Sequence, residues 1–177
     1  MEISDRASES ALTHFEAGAA AMLKADGTRV TEADRAVEQL LQAALTEATP
    51  DDRVLGEELG QVGHSERVWI LDPIDGASFF ARGDPNWRIH IALQHSLSIE
   101  VAVVTAPVLG PRWWATRGGG AFKQSRPGAA ARPTPLAVTN TLDVAEAVVD
   151  AFPEGCALPP PGGCVASPVL RTWVRVG

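Results

Sequence analysis

The sequence predicts an α+β fold in which two N-terminal helices pack on a largely antiparallel sheet. Three observations carry that expectation. Apolar residues recur at spacings of three and four through the first 45 positions. From residue 68 onward the period changes to two, or to unbroken apolar runs. The alternating runs are separated by only a few residues, as hairpins require. With 177 residues, 45% of them hydrophobic and 21% charged, the chain is long enough to bury a core without disulfides or a structural metal.

The first element is expected over residues 5–25. Leu12, Phe15, Ala19, Met22 and Leu23 share one helical face there, while Asp5, Arg6, Glu9 and Lys24 fall elsewhere, and Asp26-Gly27 supplies a stop. Thr31-Glu32-Ala33-Asp34 reads as a capping box opening a second helix, with Val37, Leu40, Leu41, Ala44 and Leu45 on its inner face and Pro50 beyond its end. Val68-Trp69-Ile70-Leu71 is a short buried strand. Ile89, Ile91 and Leu93 alternate with Arg88, His90 and Gln94, and Ile99, Val101 and Val103 with Glu100, Ala102 and Val104, so the two runs form a hairpin across His95-Ser96-Leu97-Ser98. Arg112 to Thr116 and Ala121 to Lys123 make another pair, turning at Arg117-Gly118-Gly119-Gly120, and Leu136-Ala137-Val138 is expected as an edge strand. Residues 125–135 read as a surface loop and 153–164 as a Pro/Gly-rich connector. Domain boundaries are therefore expected at 1–140 and 141–177.

Fifteen Lys and Arg against twenty-two Asp and Glu leave a formal net charge of −7, the wrong sign for binding driven by counterion release from nucleic acid. An anionic ligand must then be met locally, by a few Arg, by backbone N–H groups or by a bound cation. The acidic N-terminus lacks the basic and apolar regions of a signal peptide, and no run reaches the roughly 20 apolar residues that span a bilayer. Cys156 and Cys164 make no disulfide framework and lack the partners of a zinc site. A cytoplasmic protein without membrane or nucleic-acid partners is expected.

The strongest chemical signal is Trp69-Ile70-Leu71-Asp72-Pro73-Ile74-Asp75-Gly76. An apolar strand ends on two carboxylates three residues apart, with Pro73 expected to fix a turn that lets both converge. Carboxylates without neighbouring Cys or His suit a hard cation such as Mg²⁺, completed by water and substrate phosphate. Gly76 then lets the backbone turn into Ala77-Ser78-Phe79-Phe80, a helical turn whose N–H groups would face an anion, although on spacing alone an ordinary acidic turn after a strand accounts for the motif equally well. Gly56-Glu57-Glu58 is a second acidic element and Asp34 a third, although each taken singly is better accounted for as a solvated loop and a helix cap. Arg88 and His90 share one face of the following strand, where they either contact an anionic substrate or form a polar sheet surface.

Taken in order, Val30-Thr31-Glu32-Ala33-Asp34, Gly56-Glu57-Glu58, Trp69 through Gly76 and Phe80-Ala81-Arg82-Gly83 resemble the inositol monophosphatase superfamily. The Arg82-Gly83-Asp84-Pro85-Asn86-Trp87 segment is most similar to its histidinol-phosphate phosphatase branch, and the resemblance runs over roughly residues 5–140. It implies a Mg²⁺-dependent phosphomonoesterase acting on a small phosphorylated metabolite of the histidinol, inositol, sugar or nucleoside phosphate class. It further implies that Glu57, Asp72 and the Ile74 carbonyl hold one metal and that Asp72 and Asp75 share a second. By the same resemblance the amides of Gly76, Ala77 and Ser78 cradle phosphate, and Asp34, with Glu57 and Asp75, serves catalysis by orienting or deprotonating the attacking water.

Two departures stand beside it. The family usually has Thr where this chain has Ala77, so a hydroxyl that helps activate water is replaced by a methyl group. The family's C-terminal half carries a Trp-Asp motif, yet Trp69, Trp87, Trp113, Trp114 and Trp173 are followed here by Ile, Arg, Trp, Ala and Val. Asp143 and Asp150 are the acids nearest to that missing region. These departures keep open an alternative, a catalytically altered or inactive member that binds a phosphorylated ligand or a partner. Apolar strands without the family's second half also lead us to expect a homodimer or higher oligomer, burying surface around Trp113, Trp114 and Val101 to Val104.

Overall fold

A computed structural model describes residues 2–18, 21–23, 29–125 and 132–140. In chain order its elements are α1 (Glu2–Glu16), β1 (Ala21–Leu23), β2 (Arg29–Thr31), α2 (Glu32–Ala48), β3 (Arg53–Leu55), β4 (Gln61–Val62), β5 (Arg67–Asp75), α3 (Ala77–Phe80), β6 (Arg88–His95), β7 (Ser98–Thr105), β8 (Arg112–Thr116), β9 (Gly120–Gln124) and β10 (Thr134–Leu136). β1 and β2 form a two-stranded sheet, and the other strands form one sheet in the order β10-β9-β8-β7-β6-β5-β3-β4. Every described pairing is antiparallel except that of β3 with β5, which is parallel. The α+β expectation, two helices with a largely antiparallel sheet, therefore holds.

The first helix is shorter than its apolar period suggested. Gly18 adopts φ 73°, a left-handed conformation that glycine tolerates, and its N–H donates to the Phe15 carbonyl at 3.1 Å while that of Ala17 donates to Thr13 at 3.2 Å. The helix ends at Glu16, and Met22 and Leu23 lie in β1, not on the helix; Asp26-Gly27 falls outside the described residues. α2 begins where the capping box places it, after Thr31, and buries Val37, Leu41, Ala44 and Leu45. Ala7 and Ala11 bring α1 close to the same core, which continues into Val54, Leu71, Ile74, Ile89 and Ile91 of the sheet. Phe15, Phe80 and Trp87 close one end of it, with ring centroids 4.9–5.5 Å apart.

Both hairpins form at the expected places. In β6, Ile89 and Ile91 are buried in this core and Leu93 is buried on the same face, so Arg88, His90 and Ala92 take the opposite one. Trp113 and Trp114 are neighbours in β8 and likewise point to opposite faces: Trp114 stacks on Phe122 at 5.8 Å, while Lys123 Nζ sits 5.7 Å from the Trp113 ring centroid. They cannot both belong to one apolar patch. The edge strand covers Thr134–Leu136 in place of Leu136 to Val138. Most of the 125–135 loop, the 153–164 connector, Asp143, Asp150, Cys156 and Cys164 lie outside the described residues. The chain divides into two compact units, Met1–Pro135 and Leu136–Gly177. Among the described residues no helix is long and apolar enough to cross a membrane.

A polar clamp fastens the end of α2 to β5. Buried Asp52 accepts from Arg67 Nε at 2.8 Å and from Trp69 Nε1 at 3.2 Å, and Trp69 Nε1 also lies 3.0 Å from Thr49 Oγ1. The Arg67 hydrogen bond holds the Asp52 carboxyl below the ordinary carboxylate range. A depressed carboxyl pKa contributes stability that is present above the unfolded value and is lost as pH falls through the folded one. Asp52→Asn is therefore expected to cost about 1 kcal/mol at pH 7, the net worth of such hydrogen bonds discounted for the half-exposed Arg67 head group. Urea titrations at pH 7 and at acid pH should show the difference from wild type shrinking in acid.

Candidate active site

The acidic residues singled out in the sequence gather at the C-terminal end of β5, and a β-bulge is what brings two of them together. Asp72 lies level with His90 and Asp75 level with Arg88, so three steps along β5 match two along β6. In a regular strand, residues three apart point to opposite faces. The extra residue restores Asp72 and Asp75 to the face shared by Arg88 and His90. Pro73 sits in this bulge, a position that needs no ladder N–H, so the expected turn after residue 71 is replaced by a strand that continues to Asp75.

Electrostatics follow from that placement. Burial raises the Asp72 carboxyl to about 7, with the negative charges of Asp75 and Glu57 adding to the effect and His90 opposing it. Its Oδ1 is buried without a hydrogen-bond partner. Asp75 is shifted the other way: His90 Nε2 lies 3.2 Å from its Oδ2, and that contact, assisted by Arg88, holds it below the ordinary range. Arg88 is partly buried, which lowers its own pKa, and its guanidinium donates to the Trp87 carbonyl at 2.7 Å. Arg88 and His90 thus face the carboxylates and are not a plain solvated surface.

Asp34 closes the capping box at the start of α2. Its Oδ2 accepts from the Thr31 N–H at 2.7 Å and from the Thr31 hydroxyl at 2.6 Å, and burial raises its pKa against those hydrogen bonds. After Asp75 the chain turns at Gly76, whose φ of 93° strains any residue with a side chain and whose neighbours, the Asn86 carbonyl and the Phe79 ring, would be crowded by a Cβ. The Gly76 carbonyl accepts from the Phe79 and Phe80 N–H groups, which leaves Ala77 and Ser78 at the head of α3, ahead of any intrahelical acceptor.

Glu57 is exposed on the loop between β3 and β4. A residue that sequence reasoning passed over governs this loop: Glu38, fully buried on α2, accepts from the N–H groups of Glu58 at 2.8 Å and Leu59 at 2.7 Å. The available signal was its spacing, since Asp34, Glu38 and Gln42 follow one another at intervals of four inside the apolar stripe of α2.

Among the described residues, no group of three or more His, Cys, Asp or Glu side chains is drawn tightly enough together to hold a metal ion as it stands. The donor set nevertheless fits a hard divalent cation. An orphaned carboxylate oxygen and mutually repelling acids on one sheet face are what such an ion neutralises.

The family model described as the inositol monophosphatase family matches residues 1–154. The chain is 43% identical to a histidinol-phosphatase of Mycobacterium tuberculosis, over 81% of this chain and 55% of that protein. It is 48% identical to a Streptomyces griseus protein named glucose-1-phosphate thymidylyltransferase, over 62% of this chain and 44% of that one. Among solved structures, the extragenic suppressor protein suhB from Bartonella henselae superposes with a TM-score of 0.64 at 30% identity, covering 68% of this chain and 48% of that chain. The chain thus spans about half the length of the relatives it matches.

Proposed function

The chain belongs to the inositol monophosphatase family, and on that premise we propose that it is a Mg²⁺-dependent phosphomonoesterase acting on a small phosphorylated metabolite, histidinol phosphate first among the candidates. The observation that carries this reading is the buried, unpartnered Asp72 oxygen, with Asp75 beside it on the same face and Glu57 within electrostatic reach. Glu57, Asp72 and the Ile74 carbonyl would hold one metal, and Asp72 with Asp75 a second. A bound divalent ion supplies a more acidic water and neutralises charge on the transferring phosphoryl group.

The chain's own groups do the rest. Asp34 takes the proton of the attacking water; the Thr31 N–H and hydroxyl both bind its Oδ2, so the carboxylate is held in one orientation. Its raised pKa brings it nearer the working pH of a general base. His90 keeps Asp75 ionised, and Arg88 adds positive charge on the same face for an anionic substrate. The amides of Gly76, Ala77 and Ser78 donate to the phosphate oxygens at a bend whose left-handed conformation favours glycine.

A panel of phosphomonoesters assayed with and without Mg²⁺ tests the reading. We expect Mg²⁺-dependent phosphate release, lost by about 10²-fold or more in Asp75→Asn, the scale set by removing one group that stabilises transition-state charge. Release that ignores Mg²⁺ or survives Asp75→Asn overturns it. Ala77 favours a second reading, a member that binds phosphorylated ligands without turning them over. Calorimetric binding of Mg²⁺ and phosphate with no release from any ester is the result that establishes this alternative.

A further inference from the structure

We propose that Glu38 is a positioning residue for Glu57, holding the loop that presents this carboxylate beside Asp72; the proposal rests on the metal-binding reading above. Glu38 is completely buried, which for a glutamate demands compensation by hydrogen bonds. Its partners are specific. Oε2 accepts from the Glu58 N–H at 2.8 Å, Oε1 from the Leu59 N–H at 2.7 Å, and the Gln42 amide lies 3.4 Å from Oε1. Gln42 also donates to the Gly60 carbonyl at 3.0 Å, and the Gly56 N–H donates to the same carbonyl at 2.9 Å.

The result is a small polar frame. Residues 56–60, which lack regular structure, receive from α2 the hydrogen bonds that a neighbouring strand would otherwise supply. The frame is also built for contact. A Cβ on Gly56 would overlap the Glu38 carboxyl group, so the residue preceding Glu57 must be glycine for the helix to grip the loop. Glu38 stands one helical turn after Asp34, so a single helix sets both the Asp34 carboxylate and, through the loop, that of Glu57.

Glu38→Gln is nearly the same size but puts an NH₂ donor against one of the two backbone N–H donors. Only one of the two loop amides keeps an acceptor. The loop is then expected to open more often, with little effect on the rest of the core.

The test uses the full chain. In metal-free wild type, hydrogen exchange should find the Glu58 and Leu59 amides strongly protected although they belong to an irregular loop, and Glu38→Gln should lower that protection about tenfold or more. Calorimetry with Mg²⁺ alone should then show a dissociation constant raised about 10- to 100-fold, as for the loss of groups that orient a ligand, in protein whose circular dichroism at the same temperature is unchanged. Unprotected Glu58 and Leu59 amides in wild type overturn the proposal without recourse to any variant. Tight Mg²⁺ binding by wild type with an equal constant for Glu38→Gln overturns it alone and leaves the metal reading standing. No Mg²⁺ binding by wild type overturns the metal reading and the role of Glu38 toward it together. A Glu38→Gln chain that loses its overall fold also counts against it, because the contact would then be structural at large and not specific to the loop.

Discussion

Asp72→Asn is expected to remove Mg²⁺-dependent activity by about 10³-fold or more, the several kcal/mol that a metal ligand contributes to the transition state, while making the metal-free protein more stable at pH 8. The two effects have one cause. Asp72 is held where burial and the charges of Asp75 and Glu57 all disfavour its ionised form, and its Oδ1 has no hydrogen-bond partner. A carboxyl raised from 3.8 to about 7 contributes stability that is fully present below its unfolded pKa and is lost as pH rises through the folded one. Metal-free wild type should therefore lose stability between about pH 4 and 7, the span set by the ordinary carboxylate value and the raised one. Asp72→Asn has no such proton to lose, so the curves should meet near pH 4 and diverge above it. Saturating Mg²⁺ should return stability to wild type alone, by about 2.7 kcal/mol at a hundredfold excess over the dissociation constant. Thermal melts across this range check the sign. Parallel curves for the two proteins, or activity preserved in the variant, would remove Asp72 from the centre of the site.

The second large effect is expected at Asp34. Asp34→Asn should lower kcat by about 10²- to 10⁴-fold, the range of a general base, with Mg²⁺ affinity little changed. The amide oxygen of Asn can still accept from the Thr31 N–H, so the start of α2 survives the substitution. Burial raises the Asp34 pKa. A base must be deprotonated to act, so wild-type kcat should rise with pH through a limb lying above the ordinary carboxylate value of about 4. That limb should be absent from the residual rate of the variant. If Asp34→Asn lowers the melting temperature but leaves kcat and its pH profile intact, Asp34 is a cap and nothing more.

How much of this was legible in the sequence depended on how far apart the interacting residues lie. The start of α2 could be read because its signal is contained in four consecutive residues, Thr31 to Asp34. The hairpins β6–β7 and β8–β9 could be read because period-two runs separated by a few residues have few other ways to pair. The order in which the acidic motifs occur pointed to the family. Elements with weak local signals were passed over: β1 and β2 are three residues each, and β4 is two. The parallel pairing of β3 with β5 joins strands separated by the whole β4 segment.

Composition, the helix and strand periods and the ordered acidic motifs were thus determined by the sequence itself, since each depends on neighbours within a turn or a hairpin. Tertiary structure alone decided where those groups point. Asp72 and Asp75 share a face only because β6 pairs across a bulge, and no spacing within residues 72–75 reveals which strand will lie alongside. His90 and Arg88 become partners of Asp75 by the same register. Glu38 is marked in the sequence only by its place in the apolar stripe of α2, and its partners appear when a loop some twenty residues later folds onto it. The physical reason is common to all three: caps and periods are enforced by bonds among adjacent residues, whereas register, burial and shifted ionisation are imposed by segments the chain brings together only when it folds.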